Sequence, residues 1–243
     1  MIVERVEHPG WLSNAYLVAD EPGGHGFLID GNGLTEELEQ RAAGEQITLT
    51  HVLCTHGHPD HIVGVEELAA RHGVPLLAHP KTAVAADRRL ADGEPIRSGE
   101  LLVRTLYTPG HCDDHIAFLV DGTHCFTADV LFRGTVGGTA GPTGDLGQLK
   151  HSILETLLGL DADTVVLPGH REATTIGEER RSNPFIRAWL EREGLGETPC
   201  RVNGKDATLL LWAPDYDGGH KALVRFPSGL ETIVGGSRVE REA

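Results

Sequence analysis

The segment Thr55-His56-Gly57-His58-Pro59-Asp60-His61 places four potential metal ligands in six positions, directly after the apolar run Val52-Leu53-Cys54 and before a helical pattern that starts at Ile62. His56 and His58 are two residues apart, so an extended backbone aims both imidazoles to one side, while Asp60 and His61 sit where the chain turns into the helix. Two ligand pairs can therefore face one small volume. Imidazole and carboxylate together suit zinc, iron or similar ions, and three or four such ligands with open positions describe a catalytic metal site. The plainer alternative, a solvated polar loop with incidental histidines, fits this spacing poorly, because several buried imidazoles without a cation are costly.

Three further residues occupy the same kind of position. His111 follows Leu106-Tyr107-Thr108-Pro109-Gly110, Asp129 follows Cys125-Phe126-Thr127-Ala128, and His170 follows Val165-Val166-Leu167-Pro168-Gly169. Each closes a strand-like run, and open α/β sheets build their sites at such carboxyl ends. The pattern predicts convergence on one edge, with Asp60 and Asp129 supplying enough negative charge for two divalent ions.

The surrounding chain reads as alternating strands and helices. Ile2–Glu7, Asn14–Ala19 and Gly26–Asp30 predict a β-meander, followed by a helix at Leu34–Ala43, a strand at Thr48–Cys54 and a helix at Ile62–His72. Strands are also predicted at Leu101–Tyr107, Ile116–Val120, His124–Ala128 and Thr164–Leu167, and helices at Gln148–Leu158 and Ile176–Glu193. Asn183-Pro184 supplies an N-cap with Pro at the first helical position, so a fresh helix should start there. From about Gly196 the pattern changes to Thr208–Trp212, Lys221–Phe226 and Leu230–Val234, separated by turn signals. These features predict a main domain over 1–195 and a small β-rich unit over 196–243. At about 47 residues the tail is near the lower limit for folding alone, which places it against the main domain or on another subunit, as in a homodimer.

With these residues in view, the first 195 positions resemble the metallo-β-lactamase-fold hydrolase superfamily. The fold this implies is an α/β four-layer αββα sandwich, here with a C-terminal β-rich appendage. By the same resemblance His56, His58 and His111 would bind one metal, Asp60, His61 and His170 a second, and Asp129 would bridge them. Thr174-Thr-Ile-Gly-Glu-Glu-Arg-Arg-Ser-Asn-Pro-Phe185 is similar to the glyoxalase II-like branch, whose typical activity is thioester hydrolysis, and Thr108-Pro-Gly-His-Cys-Asp-Asp-His115 resembles a stretch of related hydrolases. Hydroxyacylglutathione hydrolases have a helical C-terminal region that supplies basic groups to glutathione, whereas this tail reads as β and loosely resembles an SH3-like barrel.

The chemistry expected is hydrolysis of a thioester or other activated ester. Two metals, zinc favoured over iron, would lower the pKa of a shared water toward ~7 and polarise the carbonyl, with Asp60 orienting the resulting hydroxide. Superfamily resemblance also admits a persulfide dioxygenase-like oxidoreductase, with one Fe(II) on His56, His111 and Asp129. A non-catalytic scaffold acting through the tail is a third reading, but it predicts lost ligands and none is lost. Cys112 abuts His111, yet no base is paired with it in the sequence, so it is not read as a nucleophile. His115 and Asn14 are candidates for supporting the ligands.

Gly134-Thr-Val-Gly-Gly-Thr-Ala-Gly-Pro-Thr-Gly-Asp-Leu-Gly147 has six glycines in fourteen residues. It suits either a loop approaching substrate or a long connection to the next helix, and it lacks the Gly-Lys-Ser/Thr of a phosphate-binding loop. Composition narrows the partners. A formal charge of −15 over 243 residues repels phosphate backbones and anionic lipid, so a small-molecule substrate is expected, with no nucleic acid and no membrane. The charged N-terminal residues lack the apolar stretch of a signal peptide, and the four cysteines form no C-x-x-C pair, which together predict a cytoplasmic protein without disulfides.

Overall fold

The computed structural model describes residues 1–192 and 194–241. It is a mixed α/β structure that divides into two compact units. One comprises Met1–Tyr107, Asp114–Ala128 and Gly169–Arg171; the other comprises Thr108–Asp113, Asp129–Pro168 and Glu172–Ala243.

The first unit begins with the expected meander. Ile2–Glu7 pairs antiparallel with Asn14–Ala19, which pairs antiparallel with His25–Ile29. The chain then crosses over through the helix Glu36–Gly44, so that His25–Ile29 and Thr48–Leu53 run parallel, and Thr48–Leu53 pairs parallel with Leu76–Ala78 after the helix Val65–His72. All six residues of Asn14–Ala19 are buried, as befits a strand covered on both faces. Leu38 and Ala42 of one helix and Val65, Leu68 and Ala69 of the other, each set at helical spacing, pack with Ala15, Leu17, Leu28 and Val52 in one apolar cluster. A second antiparallel run in this unit joins Pro95–Ser98, Leu101–Tyr107, Ile116–Val120 and His124–Ala128.

The helix predicted over Ile62–His72 is interrupted. A short turn, Pro59–Ile62, ends before Gly64, whose φ of +76° no continuing helix can accommodate, and Val65–His72 starts anew. The break lets Asn32 and Val63 form a parallel bridge, as Gly31 does with Ile62, which fixes the turn that carries Asp60 and His61.

In the second unit the hairpin Leu131–Phe132/Thr135–Val136 leads through the glycine-rich segment to the helix Leu146–His151, whose start Asp145 caps by accepting from the Gln148 amide. The α-helix predicted over Gln148–Leu158 continues instead as a π-helix, Ser152–Leu157, beginning where the Ser152 hydroxyl donates to the Pro109 carbonyl at 2.7 Å. Helices Ile176–Ser182 and Pro184–Glu191 are separated at Asn183, whose side chain accepts from the amides of Phe185 and Ile186.

Thr198–Val202, Lys205–Pro214, His220–Arg225, Glu231–Gly235 and Val239–Arg241 form a five-stranded antiparallel sheet around Cys200, Val202, Leu209, Ala222, Val224 and Val234. No α-helix occurs among its described residues. The strands at Thr198–Val202 and Val239–Arg241 were not anticipated: Pro199 breaks the first signal, and the second is only three residues long. No helix is long and apolar enough to cross a membrane.

Candidate metal centre

Five of the seven sequence-derived ligands belong to the first unit. Thr48–Leu53 ends where Thr55 begins, and the Thr55 amide and hydroxyl both donate to the Asp30 carboxylate at 2.8 Å, which anchors the histidine segment at its base. His56 is fully buried. Its Nδ1 lies 3.1 Å from the Thr55 hydroxyl, and its Nε2 is 3.0 Å from Nδ1 of His58. Two imidazole nitrogens at this separation share either a proton or a cation. Ligand atoms at about 2.0–2.1 Å from one zinc ion lie at roughly such a spacing.

The Asp60, His61 and His170 ligand atoms lie within 4.8 Å of one another. Asp60 Oδ2 is 3.6 Å from Nε2 of His61 and 3.5 Å from Nε2 of His170. His61 is buried, and its Nδ1 is 2.9 Å from the carboxylate of Asp30. That contact assigns the proton to Nδ1 and turns Nε2 toward Asp60, the arrangement by which carboxylates orient metal-binding histidines. His170 is placed by its backbone, through a bridge to Ser13 and a bond from the Asn14 amide to the Gly169 carbonyl at 2.7 Å.

Within the second unit, Nε2 of His111 and Oδ2 of Asp129 are 3.6 Å apart. Here the orienting group is a main-chain carbonyl. His111 Nδ1 lies 2.8 Å from the Gly138 oxygen, so Nε2 is the nitrogen left toward Asp129 as a candidate ligand atom. Asp129 follows Ala128, whose φ of +39° is strained for a residue with a Cβ and swings the carboxylate out of the strand line. Asp30 and Arg171, the latter directly after His170, are likewise left-handed at +61° and +62°.

These observations fit a divalent metal. The donors are imidazole nitrogens and carboxylates, and at His56, His61 and His111 the other ring nitrogen is held by a hydroxyl, a carboxylate or a carbonyl. Asn14, read as a supporting residue, donates to the Tyr16 hydroxyl and to the Arg171 carbonyl, and the buried His115 ring stands 5.1 Å from that of His56. Asp30 was not among the candidates, and only its turn-forming position after a strand hinted at it.

The glycine-rich segment takes on a structural meaning. A Cβ at Gly137 would stand 2.1 Å from the Asp129 carbonyl oxygen and 3.3 Å from Cβ of His111, so only glycine permits this approach to the backbone of two ligands. The Thr174–Phe185 segment holds the loop's start. Glu179 accepts from the Gly134 amide, the Thr174 hydroxyl and the Asn183 amide group, and Asn183 also donates to the Thr135 carbonyl. All four cysteines are buried. Burial pushes the Cys125 thiol up to about 12 and raises that of Cys54, so neither offers a thiolate near neutral pH.

The metallo-beta-lactamase superfamily model matches residues 8–170, a span that contains all seven candidate ligands. The chain belongs to the metallo-beta-lactamase superfamily. Within it, the chain is 33% identical over 213 residues to hydroxyacylglutathione hydrolase GloC of Haemophilus influenzae, covering 76% of this chain and 98% of that protein. The crystal structure of ETHE1 from Myxococcus xanthus matches with a TM-score of 0.72 and 32% identity over 79% of this chain and 92% of that one. TTHA1623 in a di-iron-bound form matches with a TM-score of 0.64 and 32% identity over 75% and 99% of the two chains. The α/β sandwich expected from the sequence is the fold of this superfamily member.

Proposed function

We propose that the protein is a metal-dependent hydrolase that cleaves a thioester or other activated ester in a small-molecule substrate. In this reading His56, His58 and His111 hold one ion, Asp60, His61 and His170 hold a second, and Asp129 is shared. The observation that carries it is the Asp60, His61 and His170 group, assembled within 4.8 Å with His61 already turned by Asp30. The GloC relative, by its name a thioester-cleaving enzyme, supports the ester class.

Divalent ions at such a site acidify water to a neutral pKa and polarise a substrate carbonyl. The chain's own residues do the rest. Asp60, partly exposed and flanked by two imidazoles, is placed to hold the proton of the attacking water and to orient its lone pair. Asp30 and the Gly138 carbonyl keep His61 and His111 in the tautomer that faces inward, so no reorientation is needed when substrate binds. The buried cysteines leave the nucleophile's role to water.

The di-iron-bound relative favours keeping iron beside zinc as the resident metal, and with iron comes the oxidoreductase reading on His56, His111 and Asp129. One experiment separates them. Protein purified without added metal is assayed for zinc and iron per chain and then challenged with thioesters, lactones and esters, and in parallel with a persulfide under oxygen. Two ions per chain with thioester turnover is expected. A metal-replete protein inert toward every ester, or one iron per chain with oxygen uptake, overturns the hydrolase.

A further inference from the structure

The C-terminal sheet has contacts that the hydrolytic reading does not use. Lys221, on the strand His220–Arg225, is buried, with its ammonium 2.9 Å from Asp215 and 5.1 and 5.0 Å from the rings of Phe132 and Tyr216. It donates at 2.7 Å to the carbonyl of Val136. Three residues on, Thr139 is stitched to the strand Glu231–Gly235. Its amide donates to the Ile233 carbonyl at 3.0 Å, its hydroxyl accepts from the Ile233 amide at 2.9 Å, and that hydroxyl is 2.9 Å from the hydroxyl of Thr232. Residues 136 and 139 are therefore both held by the sheet. Between them are Gly137, whose amide donates to the Val130 carbonyl, and Gly138, whose carbonyl meets His111 Nδ1.

A carbonyl orients an imidazole only as well as its own peptide plane is fixed. Gly137 and Gly138 have no side chains to fix it, and glycine backbone is the most mobile there is. The restraint comes from the Gly137 amide's bond to Val130 and from the two flanking anchors, of which the Thr139 amide shares the peptide plane of the Gly138 carbonyl. A buried ammonium is also a costly way to pack a core, since its hydration is lost and only a partner carboxylate offsets that. Burial indeed lowers the Lys221 pKa, opposed by Asp215 and, at longer range, by Asp129 and Asp217. A hydrophobic side chain of similar length could fill the space but could not grip the Val136 carbonyl.

We propose that Lys221, with Thr232 and Ile233, forms a brace that positions the metal ligand His111 by immobilising residues 136–139. Lys221 is a positioning residue in this account; it acts through Val136 and Gly138. The C-terminal sheet is then part of the metal centre's support. The proposal rests on the reading that His111 is a metal ligand.

The test compares wild-type protein with Thr232→Val and with the charge-neutral pair Lys221→Met/Asp215→Asn. Arg201→Ala, which removes an exposed ion pair with Asp206 on the same sheet, serves as control. Each protein is stripped and titrated with Co(II) against a chromophoric chelator, the visible Co(II) spectrum is recorded, and the metal-free melting temperature is measured. Both brace variants are expected to weaken one Co(II) binding step by about tenfold or more, as loss of a group that orients a ligand does, and to change the spectrum. The other step and the Arg201→Ala control stay within about twofold, on the same principle. Folded brace variants with wild-type affinities and spectrum overturn the brace. If the double variant does not fold, Thr232→Val decides alone. A wild-type protein that binds no Co(II) or Zn(II) overturns the metal reading itself, and the proposal with it.

Discussion

The carboxylate of Asp30 lies 2.9 Å from Nδ1 of His61 and simultaneously accepts from the amide and hydroxyl of Thr55, so one buried acid both orients a candidate ligand and anchors the segment that carries four of them. Asp30→Asn keeps a residue that tolerates the left-handed backbone but replaces a charge with a neutral amide. The expected result is a folded protein whose metal affinity falls by about 10–100-fold, read by chelator competition. Unchanged affinity would show that Asp30 serves only the loop.

Asp129 is the residue assigned to both ions. Asp129→Ala removes negative charge from between two cations just as each loses a bond, so it is expected to bind at most one metal and to lose nearly all activity. Cys112→Ala, adjacent to His111 but buried, is expected to keep both metals and most of its rate. Metal content and turnover of the two variants decide the matter. Full stoichiometry in Asp129→Ala would remove it as the bridge, and an inactive, metal-replete Cys112→Ala would return the thiol to the mechanism.

Asn183 caps the helix Pro184–Glu191 through two backbone amides and spends its own amide on Thr135 and Glu179. Asn183→Ala should cost about 2–4 kcal/mol, because loss of a cap typically costs ~1 and the buried acceptors left behind add desolvation. Chemical denaturation of the metal-free protein measures it. A loss below about 1 kcal/mol would mean water replaces the amide.

Glu179 gives a pH-dependent signature. Burial raises its carboxyl pKa, against the opposing hydrogen bonds from Asn183, Thr174 and the Gly134 amide. An acid raised in the folded state binds its proton more tightly there, so its contribution to stability is complete below the unfolded value near ~4.3 and is lost as pH rises through the folded value. Wild type should therefore lose stability relative to Glu179→Gln, a permanently neutral stand-in, as the pH is raised from about 4. Melting temperatures of the two metal-free proteins as the pH rises provide the check. The reverse trend would show that the three donors outweigh burial.

The sequence by itself determined the candidate ligand set, the α/β fold class and most strand positions. His56, His58, Asp60 and His61 announce themselves because metal chemistry needs those side-chain types close together, and strands such as Ile2–Glu7, Asn14–Ala19, Leu101–Tyr107 and Ile116–Val120 fall where apolar runs and flanking turn residues place them. The Asn183-Pro184 break was equally legible, since capping is a local matter. What holds the candidate ligands in their tautomers was decided only by the tertiary structure. Asp30 is 31 residues from His61, the partner of His111 is a backbone carbonyl that any residue could offer, and Lys221 reaches Val136 from 85 positions away. Hydrogen bonds of this kind depend on distance and direction in space, for which a one-dimensional pattern of side-chain types has no periodicity to reveal.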